Sequence, residues 1–267
     1  MNAENQPEHR PLPIGIQTFS TLREEGCYYV DKTPLIRELI RTGRHYFLSR
    51  PRRFGKSLLV STLKELFEGN EPLFRGLDIH PHWNWSVKYP VVRISFGGDI
   101  DTPDEIQNHV LNQLYKIEQA HDLKTFPSVY SAADRLENVL YFLHQMYGQR
   151  VVVLVDEYDR PVLNVLENRE KARENRNKLR NLYSILKDAE EHIRFVFVTG
   201  ITMFSKTSFS SGLNNLDDIS LYPPLASICG YTDHDLDTVF APELEGLDRD
   251  NIRTWYNGYH WLGTEKL

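Results

Sequence analysis

Short apolar runs alternate along the chain with longer stretches whose apolar residues recur every third or fourth position. "HYFLS" (45–49), "PVVRISF" (90–96), "RVVVLVD" (150–156) and "RFVFVTG" (194–200) read as strands, and the third is continuously apolar, as expected of a strand buried on both faces. Between them, helical spacing predicts helices in "TPLIRELIRTG", with Thr33 as cap, Pro34 in its first turn and Gly43 at its end. Further helices are predicted in "SLLVSTLKELFEG" (Leu58, Leu59, Leu63 and Leu66, ended by Gly69), near 102–120, near 131–147 and over 170–191. A weaker strand is read near 225–229, and "TDHDLDTVF" and "DRDNIRTWYNGY" as small helices. Strands alternating with helices predict an α/β protein, a mostly parallel sheet between two helical layers. Residues 1–13, with three prolines, read as a flexible tail, 14–230 as the core, and 231–267 as a small helical, lid-like subdomain.

The bulk numbers narrow the class. The chain has 267 residues, 40% of them hydrophobic and 25% charged, which suits a globular protein with a substantial core. A net charge of −6 leaves nucleic-acid binding to a local patch, and the densest basic run is Arg50–Arg53. Two cysteines far apart, Cys27 and Cys229, fit a reducing compartment rather than a disulfide framework. The N-terminus lacks a signal-peptide core and the longest apolar run, Val151–Val155, is too short to cross a bilayer. A cytoplasmic protein without membrane contact is expected. The chain stops at "WLGTEKL" with no helix terminus, which reads as the end of a fragment of a longer protein.

The chemistry starts at "SRPRRFGKS" (49–57). Its end matches a phosphate-binding loop, G-x-x-x-x-G-K-[ST], but Arg50 stands where the first glycine would be and Pro51 stiffens the turn. Gly55 gives the last turn, Lys56 a charge for the terminal phosphates and Ser57 a hydroxyl for Mg2+, at the positive end of the following helix. Arg52 and Arg53 are placed to contact phosphate or stack on a base. The nucleotide-binding set is therefore Arg52, Arg53, Phe54, Gly55, Lys56, Ser57 and Leu58, and the bland alternative is a chance GKS on a basic surface. The run "VVVLVDEYD" ends in adjacent acids where open α/β sheets bind ligands. Asp156 is read as a Mg2+ ligand with Ser57, and Glu157 as general base, against the alternative of a solvated loop. After the next strand, Thr199 or Thr202 is read as sensing the terminal phosphate, with Lys206, Asn214 and Asn215 as further candidates. Turn chemistry is the alternative there.

Taken together, "YYVDKTPLIRELI", "FLSRPRRFGKSLLVSTLKELFEG", "VVVLVDEYDRPV", "VTGITMFSKTSFSSGLNNLDDIS" and "WYNGYHW" resemble the AAA-ATPase-like family of bacterial P-loop proteins, from about Gly15 to Gly263. The family commonly carries R-P-R-R-F-G-K-S, so Arg50 is no departure from it. The resemblance implies a P-loop NTPase three-layer sandwich, in which Lys56 and Ser57 match Walker A and Asp156 and Glu157 match Walker B. It also implies that the strand ending at Thr199 lies between the Walker A and Walker B strands. A PD-(D/E)XK nuclease-type domain often follows in the family. No acid pair with E-x-K or Q-x-K is evident after residue 230, so no nuclease activity is assigned to these residues.

The expected function is ATP binding and Mg2+-dependent hydrolysis by a homo-oligomer. The hydrolysis would be coupled to an attached or partner effector, such as a nuclease domain through which nucleic acid would be engaged. An arginine finger is not assignable, with Arg160 and Arg180 the candidates. A nucleotide-dependent switch with little turnover is the alternative, and a nucleic-acid module using Arg50, Arg52 and Arg53 a third. The absence of N-K-x-D leaves adenine as the default base. Tyr28 and Tyr29 are read as packing on the core, with Asp31 paired to Lys32 or an arginine, against a role beside the base or at a subunit boundary. "WYNGYHW" is read as a packing and turn motif around Asn257-Gly258.

Overall fold

The computed structural model describes residues 9–123, 131–202 and 215–255. Four of its strands are those the apolar runs predict: β1 (His45–Ser49), β2 (Val91–Ser95), β3 (Val151–Asp156) and β4 (Ile193–Gly200). With β5 (Asp217–Asp218) they form one parallel sheet in the order β2-β3-β4-β1-β5. β4 thus lies between β1, which feeds the basic loop, and β3, which ends in the acids. β1 to β4 carry apolar residues on both faces. In β3, Val151, Val153 and Val155 join one core cluster and Val152 and Leu154 the other. β4 divides the same way, with Val196 and Val198 against Phe195 and Phe197. Successive side chains alternate across the pleat, so an unbroken apolar run needs cover on both sides.

One cover is built from α4 (Pro103–Ala120), α5 (Ala132–Tyr147) and α7 (Arg169–Asp188), which contribute Val110, Leu136 and Leu179 to the first cluster. A capping box between Thr102 and Glu105 fixes the start of α4. The other is built from α1 (Phe19–Glu24), α2 (Thr33–Thr42) and α3 (Lys56–Phe67), through Phe19, Ile36 and Leu63. The short α6 (Arg160–Leu163) follows the acids. Past Gly230, α8 (Asp233–Thr238), α9 (Ala241–Leu244) and α10 (Arg249–Trp255) complete the described chain. Phe240 and Leu236 pack on Tyr28 and Val30, and Lys32 pairs with Asp235 at 2.8 Å, joining these helices to the segment before α2.

Four expectations are corrected. Residues 225–229 are not a strand: Pro223–Leu225 form a 3-10 turn, and Leu225, Ile228 and Cys229 bury beneath α2 and α3. The fifth strand is instead the two-residue acidic β5, paired with Tyr46 and Phe47. Thr33 does not cap α2. Asp31, the residue before the N-cap Lys32, accepts from the Thr33 N–H at 2.8 Å and hydroxyl at 2.6 Å, and from the Asp78 N–H at 2.8 Å, while Lys32 pairs with Asp235. The helix predicted over 170–191 ends at Asp188, and Glu190–His192 form a 3-10 turn.

Candidate functional site

The basic loop joins the carboxyl end of β1 to α3. Gly55 is the residue before α3, with φ of 84°, a conformation that costs glycine nothing and other residues about 1 kcal/mol or more. Three non-glycine residues among those described have positive φ, and two of them, Arg53 (68°) and Glu157 (56°), belong to this site. Backbone held in that region concentrates where function over-determines it.

Arg50 is the feature that the sequence reading placed wrongly. It is fully buried, and its guanidinium donates to the carbonyls of Ser49 and Ser220 at 2.8 Å and of Ala226 at 3.1 Å, while burial pulls its pKa down. The arginine in place of the first glycine is therefore a strut. It ties the loop to the segment after β5, and the Gly230 N–H does the same by donating to the Phe54 carbonyl at 3.0 Å. Arg50 is removed from the exposed basic surface on which a nucleic-acid reading of the loop relied. Arg52 and Arg53 remain exposed, Phe54 and Ser57 are half-buried, and Leu58 packs on the core beneath α3.

Lys56 is 7% exposed and donates to the Arg50 and Pro51 carbonyls at 2.9 and 2.8 Å. Burial lowers its pKa, an effect opposed by Cys229 and then by Asp156, Asp159 and Glu157. The sheet thus gathers residues about a hundred positions apart around one ammonium. Asp156, 2% exposed, accepts from the Thr199 hydroxyl at 2.7 Å, and Arg93 lies 3.8 Å from its other oxygen. Thr199 is fully buried, with its hydroxyl directed onto Asp156. Thr202 is turned to Asp159. Glu157 accepts from Arg160 at 2.7 Å, which places Arg160, a finger candidate, on this chain's own acid.

Asp159 was not singled out from the sequence. Fully buried, it accepts through one oxygen from the Ile201 N–H at 2.8 Å, the Thr202 N–H at 2.7 Å and the Thr202 hydroxyl at 3.0 Å. Burial raises its pKa against those hydrogen bonds. It ties the turn after β3 to the loop after β4. It stands at the N-cap position of α6, but its side chain makes no cap hydrogen bond; its partners are over forty residues away. Tyr28 and Tyr29 are packing residues: Tyr28 packs against Phe240 with its ring tilted and donates to Glu243 at 3.0 Å, and Tyr29 meets Phe19 edge-on. Lys206, Asn214 and the motif around Asn257-Gly258 lie outside the described residues, while Asn215 contacts His45 at 3.1 Å.

The family model described as predicted AAA-ATPase matches residues 13–210. The chain belongs to the AAA-ATPase-like family. Membership agrees with the strand order and with the loop between β1 and α3, and makes the chain an ATP-binding P-loop module with an α/β P-loop NTPase fold. An uncharacterized protein in the vnfD 5′ region of Azotobacter chroococcum mcd 1 is 54% identical over 256 residues, covering 95% of this chain and 49% of that protein. The chain therefore spans about half the length of the curated relative it matches. Among solved structures, Cdc6p from Pyrobaculum aerophilum is 16% identical, with 91% of this chain and 52% of that chain covered and a TM-score of 0.32. Among the described residues no helix is long and apolar enough to cross a membrane.

Proposed function

We propose that this AAA-ATPase-like module hydrolyses ATP with Mg2+ and transmits the cycle to an attached or partner effector. The observation that carries the proposal is that β1, which feeds a loop with a left-handed Gly55, and β3, which ends in Asp156 and Glu157, flank β4, whose Thr199 hydroxyl donates to Asp156, so that loop and acids emerge at one end of the sheet. The residues fit Mg2+ chemically. Asp156 offers carboxylate oxygens with Thr199 fixing one of them, and Ser57 offers a hydroxyl at the start of α3. Mg2+ would be held by Ser57 and Asp156 and would supply charge neutralisation on the transferring phosphoryl group.

In this reading Lys56 exchanges its two loop carbonyls for phosphate oxygens. The N–H groups from Arg52 to Leu58 and the start of α3 line the anion site. Glu157 orients the attacking water and accepts its proton, while Arg160 holds one of its two carboxylate oxygens. That same ion pair favours a second reading, a nucleotide-dependent switch whose turnover stays low until assembly displaces Arg160.

The test is ATP binding and turnover across protein concentrations for wild type, Lys56→Ala and Glu157→Gln. The ATPase reading expects loss of binding in the first variant. In the second it expects retained binding with turnover down about 100-fold or more. Turnover per chain that rises with concentration supports a homo-oligomer with groups supplied between subunits. Binding without turnover at any concentration supports the switch, and no binding by wild type contradicts both readings.

A further inference from the structure

At the end of the sheet opposite the basic loop lies an open depression of about 420 Å3, and four of the residues lining it are arginines. Arg44 immediately precedes β1, Arg150 immediately precedes β3, and Arg194 is the second residue of β4. Arg41 comes from the last turn of α2. β3, β4 and β1 are adjacent in that order, so three of these arginines stand on three neighbouring strands. The scaffold is fixed there: the Val196 N–H donates to the Arg44 carbonyl at 2.7 Å.

The charges are left largely unneutralised. Arg41 is held by Glu38 at 2.8 Å, but among the described residues Arg44, Arg150 and Arg194 make no ion pair, and no carboxylate lines the depression. Glu190 and Asp217 act on His45, whose pKa is nonetheless lowered, chiefly by burial. On a chain of net charge −6, a cluster of unpaired guanidiniums runs against the overall sign, and mutual repulsion makes it costly unless an anion binds.

The form of the site selects the anion. Ile40 is the one apolar side chain of any size among the described lining residues, and no aromatic ring is present to stack a base or close over a small molecule. Neighbouring strands are about 4.8 Å apart, so the three arginines span roughly 10 Å. A nucleic-acid strand places a charge about every 3.4 Å along its axis, which brings about three phosphates within that span. We propose that this arginine-lined depression, formed by Arg44, Arg150 and Arg194 at the amino-terminal ends of β1, β3 and β4, binds the phosphate backbone of nucleic acid without reading its sequence. It is separate from the ATP site and stands whether or not the chain hydrolyses ATP.

The test is fluorescence anisotropy of a labelled 20-base-pair duplex titrated with the 267-residue chain, without nucleotide, at several salt concentrations. Three contacts predict a slope of log K against log salt near about −2.7, so that Kd rises about 40-fold between 50 and 200 mM salt. The triple variant R44Q/R150Q/R194Q should lose binding while its urea unfolding midpoint stays near that of wild type. Should the triple variant unfold, each single Arg→Gln change should reduce the slope by about 0.9. R52Q/R53Q should bind the duplex as wild type does. The proposal is overturned if wild type fails to bind at 50 mM salt or the arginine variants bind unchanged. It is equally overturned if R52Q/R53Q abolishes binding, or if polyglutamate binds more tightly than the duplex, which would make the partner an acidic protein segment.

Discussion

Gly200 ends β4 where Tyr158 and Asp159 cross it, and Gly200→Ala should both destabilise the protein and disturb its site. A β-carbon there would sit 2.6 Å from two carbons of the Tyr158 ring and 2.9 Å from the Asp159 carboxyl carbon. Carbon atoms approach comfortably to about 3.5 Å, so something must move by close to 1 Å. Neither neighbour is free to swing. The Tyr158 N–H donates to the Thr199 carbonyl and its hydroxyl to the Thr202 carbonyl, both at 3.0 Å, and Asp159 is held by Ile201 and Thr202. Overpacking of this kind costs about 1–3 kcal/mol, and one loosened hydrogen bond to Asp159 adds about 1 kcal/mol, so about 3 kcal/mol is expected. With a urea dependence of about 3 kcal/mol per molar, the unfolding midpoint should fall by about 1 M with the slope unchanged. Gly97→Ala is the control: its β-carbon would meet Glu157 and Ser95 oxygens at 3.6 and 3.7 Å, ordinary contacts, and its midpoint should hold. A Gly200→Ala midpoint equal to that of the control would refute the argument that this crossing is sterically closed.

Other expectations are as direct. Thr199→Val removes the hydroxyl that donates to Asp156 and should destabilise by about 2 kcal/mol; it should weaken ATP binding when Mg2+ is present, whereas an equal loss without Mg2+ would mean that Thr199 meets phosphate itself. Arg160→Ala frees the Glu157 carboxylate and should raise turnover of the dilute chain with little change in KM; unchanged or lower turnover would argue that Arg160 positions the base. Burial pushes the Cys229 thiol from 9.0 to about 12, so between those values the folded state keeps a proton that the unfolded chain releases, and stability falls as pH rises. This contributes about 2 kcal/mol of loss between pH 7 and 10.5, which Cys229→Ala should abolish in paired unfolding curves at the two pH values.

How far the sequence reached follows from what kind of interaction holds each part. β1 to β4 were legible because burial on both faces imposes an apolar run, and α4 because its cap and spacing are local. β5 was not: two aspartates carry no apolar signal and pair only because β1 offers a free edge. The run at 225–229 misled because Leu225, Ile228 and Cys229 are buried, but by a turn over the helices and not by strand pairing. At the site, the loop and the acid pair are contiguous motifs and could be read. The long-range partners of Arg50, Thr199 and Asp159 lie 42 to 176 positions away, and no local pattern announces those partners. Arg50 shows the cost most plainly, since a basic run in the sequence became one buried strut and two exposed charges.

The central claim is that the loop from Arg50 to Ser57 holds ATP through Lys56. A calorimetric titration of the chain with ATP in Mg2+, beside Lys56→Ala, tests it most directly. Saturable binding by wild type that disappears in a variant with an unchanged unfolding midpoint is the predicted result. Equal binding by both proteins, or none by wild type, would contradict it.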